Sequence, residues 1–449
     1  MVFEIISASV TLLTLSSFVF SLPYKNSVSL PLYSSERWIL DSQGEPITYV
    51  GINWPGSADV MIPEGLQYQS IEYIVDKIVD MGLNVVRLTF AIEMIDDIYE
   101  TGNDVTLQDA FIKALGPESG ITTLNAVIQN NPQFSANTTR LQVYDAIAKE
   151  LAMKDIFLHL DNHISKGQWC CSIDGNGWFN DTYFNVNNWI RGLSYMADHG
   201  KNNWPTFSSI GLRNEPRYPA NPRIAYPYTW STWAANMTSA AKAVHTANQD
   251  ILIFFSGKHY GVSLTSVIFG GVIDSTTGVT FDVTEYDYYH KMVFELHTYS
   301  IVFSCSWFWS YLYRRGFGAL NVSDTSVFNR LPVVLTEWGH KQSDSSSKYR
   351  GLYHTCLHSF AAEWKFGWML WTISGSYYIR SGTQDMEDTW GILDKEWADY
   401  RGNKSNAAFK QMAADTLASD ADSGVHFSQT QINAFNKYMA PRVSKSNVI

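Results

Sequence analysis

The sequence predicts an α/β fold built as a single (β/α)8 barrel, a TIM barrel with loop insertions on the C-terminal face. Short apolar runs alternate with amphipathic stretches eight times, with no second compositional regime and no Pro/Ser/Thr-rich linker. Two of the runs, Ile210-Gly211-Leu212-Arg213-Asn214-Glu215 and Val333-Val334-Leu335-Thr336-Glu337, lead into a glutamate. A buried parallel strand is apolar on both faces, so a carboxylate at its end is costly unless it is used. No Gly-x-Gly-x-x-Gly follows the first run, which removes the main argument for a dinucleotide-binding sheet.

In order along the chain, strands are expected at residues 47–53, 84–90, 156–161, 208–214, 251–256, 292–297, 333–337 and 368–372. Between them, Ile71, Ile74, Val75, Ile78 and Val79 recur at helical spacing. Further helices are expected at 141–153, 186–198, 230–247, 348–362 and 405–417. The segment 97–133, punctuated by Gly, Asn and Pro, is expected to be a long loop that shapes a wall on the catalytic face.

Composition narrows the function. A net charge of −11, with no Lys/Arg run, argues against a nucleic-acid partner. Sixteen Trp and twenty-five Tyr exceed what a core needs and suit a cleft that stacks flat sugar faces. The apolar stretch from Ile5 to Ser21 reads as a secretory leader (1–21), with Val19 and Ser21 at the two specificity positions, although Met1-Val2-Phe3-Glu4 carries no basic residue. A membrane anchor is the competing reading. Residues 22–449 would then be the mature, secreted catalytic domain, without stable membrane insertion and monomeric.

Sequons at Asn137, Asn180, Asn236, Asn321 and Asn403 agree with export. Cys170, Cys171, Cys305 and Cys356 allow two disulfides. Either Cys170 joins Cys171 and Cys305 joins Cys356, or the adjacent pair is bonded to the other two. The first pairing is favoured because Cys305 and Cys356 fall in neighbouring βα units.

In a barrel, functional side chains project from the C-terminal ends of strands. The polar residues there are Arg87, His163, Asn214, Glu215, His297, Tyr299, Glu337 and Trp371. Each has an innocent reading alone: an ion-pair partner, a loop cap, a strand terminator, a filler of the barrel mouth. Their joint appearance at successive strand ends is much harder to explain as packing. Two carboxylates on one rim are the chemistry of a glycosidase. Asp161, Asp174, Glu295, Asp385, Glu387 and Asp388 read instead as structural or solvated.

The set Asn84-Val85-Val86-Arg87, Leu160-Asp161-Asn162-His163, Asn214-Glu215-Pro216, His297-Thr298-Tyr299, Thr336-Glu337-Trp338-Gly339 and Trp371 resembles glycoside hydrolase family five, the cellulase family of clan A. Trp169-Cys170-Cys171-Ser172 with Asp174-Gly175-Asn176-Gly177-Trp178, and Gly375-Ser376-Tyr377-Tyr378, look like a subgroup of plants and fungi. The resemblance implies a retaining β-glycosidase, with Glu337 as nucleophile and Glu215 as acid/base. It further implies that Arg87 and Tyr299 sit beside Glu337, that His297 orients Glu215, and that Asn214 donates to the sugar 2-hydroxyl. His163 would contact sugar hydroxyls, and Trp371 would floor the subsite before the cleaved bond. Burial and the negative charge opposite should raise the pKa of Glu215. No cofactor or metal is needed. The implied substrate is a β-linked glucan, cleaved by an endo-β-1,4-glucanase. A β-mannanase, a β-1,3-glucanase and a glycolipid- or glycoside-cleaving β-glucosidase share the machinery. A catalytically inactive carbohydrate-binding barrel is the alternative of a different class.

Overall fold

A computed structural model describes residues 29–418, so the expected leader and the polar tail lie outside the described residues. The barrel strands are β1 (Val50–Trp54), β2 (Val85–Ala91), β3 (Phe157–Ile164), β4 (Phe207–Gly211), β5 (Leu252–Ser256), β6 (Met292–Thr298), β7 (Val333–Trp338) and β8 (Gly367–Leu370). They follow chain order, all parallel, and the pairing of β8 with β1 closes the ring. Every residue of these strands is buried, because helices cover the outside and side chains fill the inside. That is why the runs read as continuously apolar.

The helices obey the same logic. In Ile71–Asp80 the buried residues are Ile71, Ile74, Val75 and Ile78, and the Ser70 hydroxyl caps the start by accepting from the Tyr73 amide. Arg140–Met153, Val186–Asn203, Trp230–Ala247, Leu352–Trp364 and Asn403–Leu417 answer the other expected helices.

Several boundaries differ from expectation. Ile47 pairs with Ile39 in a small antiparallel sheet rather than in the barrel, so β1 starts at Val50. β3 runs on to Ile164, and β4 stops at Gly211, short of Asn214 and Glu215. Segment 97–133 is mostly helical: it completes Glu93–Thr101 and contains Leu107–Leu115 and Pro117–Asn130. Leu107, Phe111, Leu124 and Val127 are buried there, and the Phe111 ring meets Tyr378 edge-on at 5.0 Å. The expected loop is therefore a packed helical wall against the hairpin Ser376–Arg380/Thr383–Glu387.

The barrel interior has two levels. Val85, Phe157, Leu252, Phe254, Val293, Val334 and Met369 form an apolar cluster with Tyr49, closed from below by Leu32 and Ile39. Burial of each such side chain contributes about 1.5–3 kcal/mol. Above them the inward positions become polar.

One irregularity serves the site. His297 lies opposite Glu337 although Leu296 lies opposite Leu335, so β7 carries one extra residue. Its pairing with β8 shifts over the same residues. Strict alternation from Val334 would turn Thr336 inward and Glu337 outward. The bulge lets both serve the barrel mouth.

Candidate active site

The mouth is organised around Arg87 on β2. Its Nη1 donates to Glu337 Oε1 at 2.6 Å and to Asn53 Oδ1 at 2.7 Å. Its Nη2 donates to Asn214 Oδ1 at 3.0 Å and lies 2.8 Å from Asp161 Oδ1. A fully buried guanidinium needs such compensation. Burial pulls its pKa down, but Asp161 first and Glu337 second outweigh this, and the cation is retained. Tyr299 completes the surroundings of Glu337 by donating its hydroxyl to Oε2 at 3.1 Å.

Glu215 sits in the irregular segment after β4. Gly211 lets that strand pass the site: a Cβ there would fall 3.0 Å from Asp161 Oδ1 and 3.3 Å from His159 Nε2. The Asn214 amide then donates to the Asn162 carbonyl at 2.8 Å. Glu215 adopts φ +47°, a left-handed conformation that disfavours side chains and recurs at functional sites. Buried Arg217 donates to its carbonyl at 3.2 Å and holds the turn. The Glu215 carboxyl is pushed up to about 7, mainly by burial. Arg217, His163 and Arg87 act against the rise and Asp161 adds to it. The direction agrees with expectation, but Asp161 rather than Glu337 stands out as the negative charge that raises it.

His297 connects the two glutamates. Its Nδ1 is 3.0 Å from Glu215 Oε1 and 3.7 Å from Glu337 Oε2, and its Nε2 is 3.0 Å from Thr336 Oγ1. Burial lowers its pKa to about 4, so the ring is neutral near pH 7. With Glu215 ionised, Nδ1–H donates to Glu215 and the Thr336 hydroxyl donates to Nε2. Donor atoms of Glu215, His297 and Glu337 lie within 4.8 Å of one another. A cation could use that spacing, but Arg87 already supplies the counter-charge of Glu337.

The remaining predicted residues join the same network. His163 Nδ1 is 2.7 Å from Asp161 Oδ2, and its ring stacks on Trp371 at 5.4 Å and 10°. Asn214 Nδ2 lies 3.5 Å from His163 Nε2. Thus Arg87, His163, Asn214, Glu215, His297, Tyr299, Glu337 and Trp371 form one connected set.

Sequence reasoning missed Asn53, whose Nδ2 donates to the Thr336 and Leu370 carbonyls while its Oδ1 receives Arg87. Asp161, read as structural, is the second partner of Arg87 and orients His163. The polar ending of Gly51-Ile52-Asn53 was the available signal for the first. Asp174 contacts Gln168 and Arg217, Asp385 pairs with Lys395, Glu387 with Arg401, and Asp388 accepts from Tyr377. Glu295 lies fully buried one inward step below His297. Of the two cysteine pairings, the structure contains Cys170–Cys171 and Cys305–Cys356.

The chain is similar to known proteins over most of its length. The family model for cellulase (glycosyl hydrolase family 5) matches residues 40–376. A glycosyl hydrolase 5 family protein of Chamaecyparis obtusa is 31% identical over 395 residues, which span 84% of this chain and 64% of that relative. An endoglucanase of Paenibacillus polymyxa is 23% identical over 82% of this chain and 83% of its own length. An endocellulase of Pyrococcus horikoshii, solved with cellotetraose, superposes with a TM-score of 0.60 at 19% identity, covering 86% of this chain and all of that one. At that identity the likeness concerns the fold.

Proposed function

The chain belongs to glycosyl hydrolase family 5, the cellulase family, and is a glycoside hydrolase; from that premise we propose that it cleaves β-linked glucan with retention, as an endo-β-1,4-glucanase. One observation supports retention: a carboxylate oxygen of Glu215 and one of Glu337 lie within 4.8 Å of each other, close enough for both groups to reach one glycosidic bond. Retaining glycosidases place their carboxyls about 5–5.5 Å apart, whereas inverting ones leave about 6.5–9.5 Å for a water.

In this reading Glu337 attacks the anomeric carbon while Glu215 gives its proton to the departing oxygen. The glycosyl ester on Glu337 is then opened by a water that Glu215 deprotonates, which restores both groups. A Glu215 pKa near 7 supplies a proton in the free enzyme at neutral pH. Esterification removes the charge of Glu337, a smaller influence on Glu215 than burial and Asp161, and so favours the ionised Glu215 that must then act as base. Arg87 and Tyr299 hold the leaving carboxylate in the second step. His297, kept neutral by burial, accepts or donates one hydrogen bond as Glu215 changes state. Asn214 and His163 meet sugar hydroxyls above the Trp371 floor.

The endoglucanase and cellotetraose-bound relatives support a β-1,4-glucan as substrate. Two disulfides suit an exported protein, whose leader would be residues 1–21. Proton NMR of the first sugar released from cello-oligosaccharides tests the reading: the β-anomer is expected first. Initial release of the α-anomer contradicts it, and faster cleavage of β-mannan, β-1,3-glucan or aryl β-glucosides moves the substrate but not the mechanism.

A further inference from the structure

We propose that the Cys170–Cys171 disulfide is a positioning element of the reaction, holding the Asn214 amide so that its free N–H meets the sugar 2-hydroxyl. The inference rests on the retaining reading above and adds a residue pair to it. Asn214 Oδ1 is committed to Arg87 Nη2 at 3.0 Å, which fixes the way the amide faces. Its Nδ2 therefore points to the loop after β3, where it lies 3.4 Å from Cys171 Sγ and 3.7 Å from Cys170 Sγ. Both are within reach of an N–H to sulfur contact.

The other N–H faces His163. Asp161 Oδ2 takes the Nδ1 proton at 2.7 Å, so Nε2 presents a lone pair to Asn214. That N···N separation is 3.5 Å, too long for a strong bond, and the N–H is readily claimed by a sugar hydroxyl. One amide hydrogen is thus parked on sulfur and the other is kept available.

The loop is built to hold this position. Arg217 Nε donates to the Ser172 carbonyl at 2.7 Å while its Nη1 donates to the Glu215 carbonyl at 3.2 Å, so one guanidinium ties the disulfide loop to the Asn214–Glu215 turn. On the other side Trp169 packs against both the Arg380 guanidinium, 3.8 Å from its ring centre, and the Tyr377 ring at 4.7 Å. Cys170 also lines a recess with Trp169, His163 and Trp371, on the side where the reacting sugar would lie. An interaction with the 2-hydroxyl strengthens as the ring approaches an oxocarbenium ion, so the loss should fall on kcat more than KM.

The test compares wild type with a Cys170→Ser/Cys171→Ser variant on 4-nitrophenyl β-cellobioside and on its analogue lacking the 2-hydroxyl beside the nitrophenyl group. The variant is expected to lose roughly tenfold in kcat on the parent and no more than about twofold on the deoxy analogue. Equal losses on both substrates, or no loss on the parent, would overturn the proposal. A second handle leaves the loop sequence intact. In a Cys305→Ala/Cys356→Ala background, phosphine reduction of the remaining disulfide should give the same split, reversed on reoxidation. Labelling of Glu337 by a 2-deoxy-2-fluoro cellobioside separates the two levels of argument. Absence of an adduct in wild type is a failure of the retaining reading. An adduct accompanied by equal losses is a failure of this inference alone.

Discussion

The lower and upper halves of the barrel interior are built from the same strands, yet they differ in nearly every physical respect. On β2, Val85 belongs to the lower level and Arg87 to the upper. On β6, Val293 is followed inward by Glu295 and His297, and on β3, Phe157 is followed by His159, Asp161 and His163. Two residues, one pleat, separate hydrocarbon from a network of buried charge. The lower level gains free energy by leaving water. The upper level spends it and persists because Arg87 meets Asp161 and Glu337 at once. Stability and chemistry are therefore stacked along the barrel axis.

The sharpest way to break this division is to remove Glu337. Glu337→Ala should lower turnover by on the order of 10⁴-fold or more while the protein stays folded, with azide restoring activity and inverting the product. A melting temperature lowered as much as by a core truncation would mean that the carboxylate serves mainly as a structural ion-pair partner. Arg87→Met tests the network itself. It leaves Asp161 and Glu337 without their cation and should cost about 3–5 kcal/mol together with most of the activity. In the lower level, Phe254→Ala should cost a similar 3–5 kcal/mol by opening a cavity, yet leave kcat per folded molecule nearly unchanged. A large fall in kcat there would show that the two levels are coupled.

Smaller effects come from protons. With Glu215 as the acid at about 7, kcat/KM should decline above neutral pH, and Glu215→Ala should lose that limb while sparing activated aryl glycosides. Equal loss on activated and unactivated substrates would contradict the acid role. Burial also drives the Glu295 carboxyl well above its usual range. A raised carboxyl binds its proton more tightly in the folded state, so its contribution is fully present below the ordinary glutamate value near 4.5 and is lost as pH rises toward the folded value. Glu295→Gln should accordingly gain on wild type by about 1–2 °C in Tm between pH 5 and 8. A constant difference across that range would exclude the linkage.

Much of this was legible in the chain because barrel strands are apolar throughout and polar endings are conspicuous against them. Arg87, His297 and Glu337 could be found that way, as could the eight-unit alternation. Glu215 was identified but misplaced: it lies beyond Gly211 in a left-handed turn, a conformation set by Arg217 from the same segment and by neighbouring strands. The bulge at Thr336 leaves no mark in Val333-Val334-Leu335-Thr336-Glu337, because it is a relation between three strands. Two elements, Thr265–Phe269 and Cys305–Arg315, escaped: the first is too short to show a helical period, and in the second exposed Trp307 flanks the face that buries Phe308, Leu312 and Tyr313. The contact of Asn214 with Cys171 depends on how the loop after β3 folds back, which spacing does not encode.

The central claim is that the upper level works as a pair of unequal carboxylates, with Glu337 making the covalent bond. Incubation with 2,4-dinitrophenyl 2-deoxy-2-fluoro-β-cellobioside, followed by peptide mapping, tests it most directly. The account predicts time-dependent inactivation with one sugar ester on the peptide that carries Glu337. A labelled Glu215, or an active enzyme that turns over cello-oligosaccharides but never acquires the label, would contradict it.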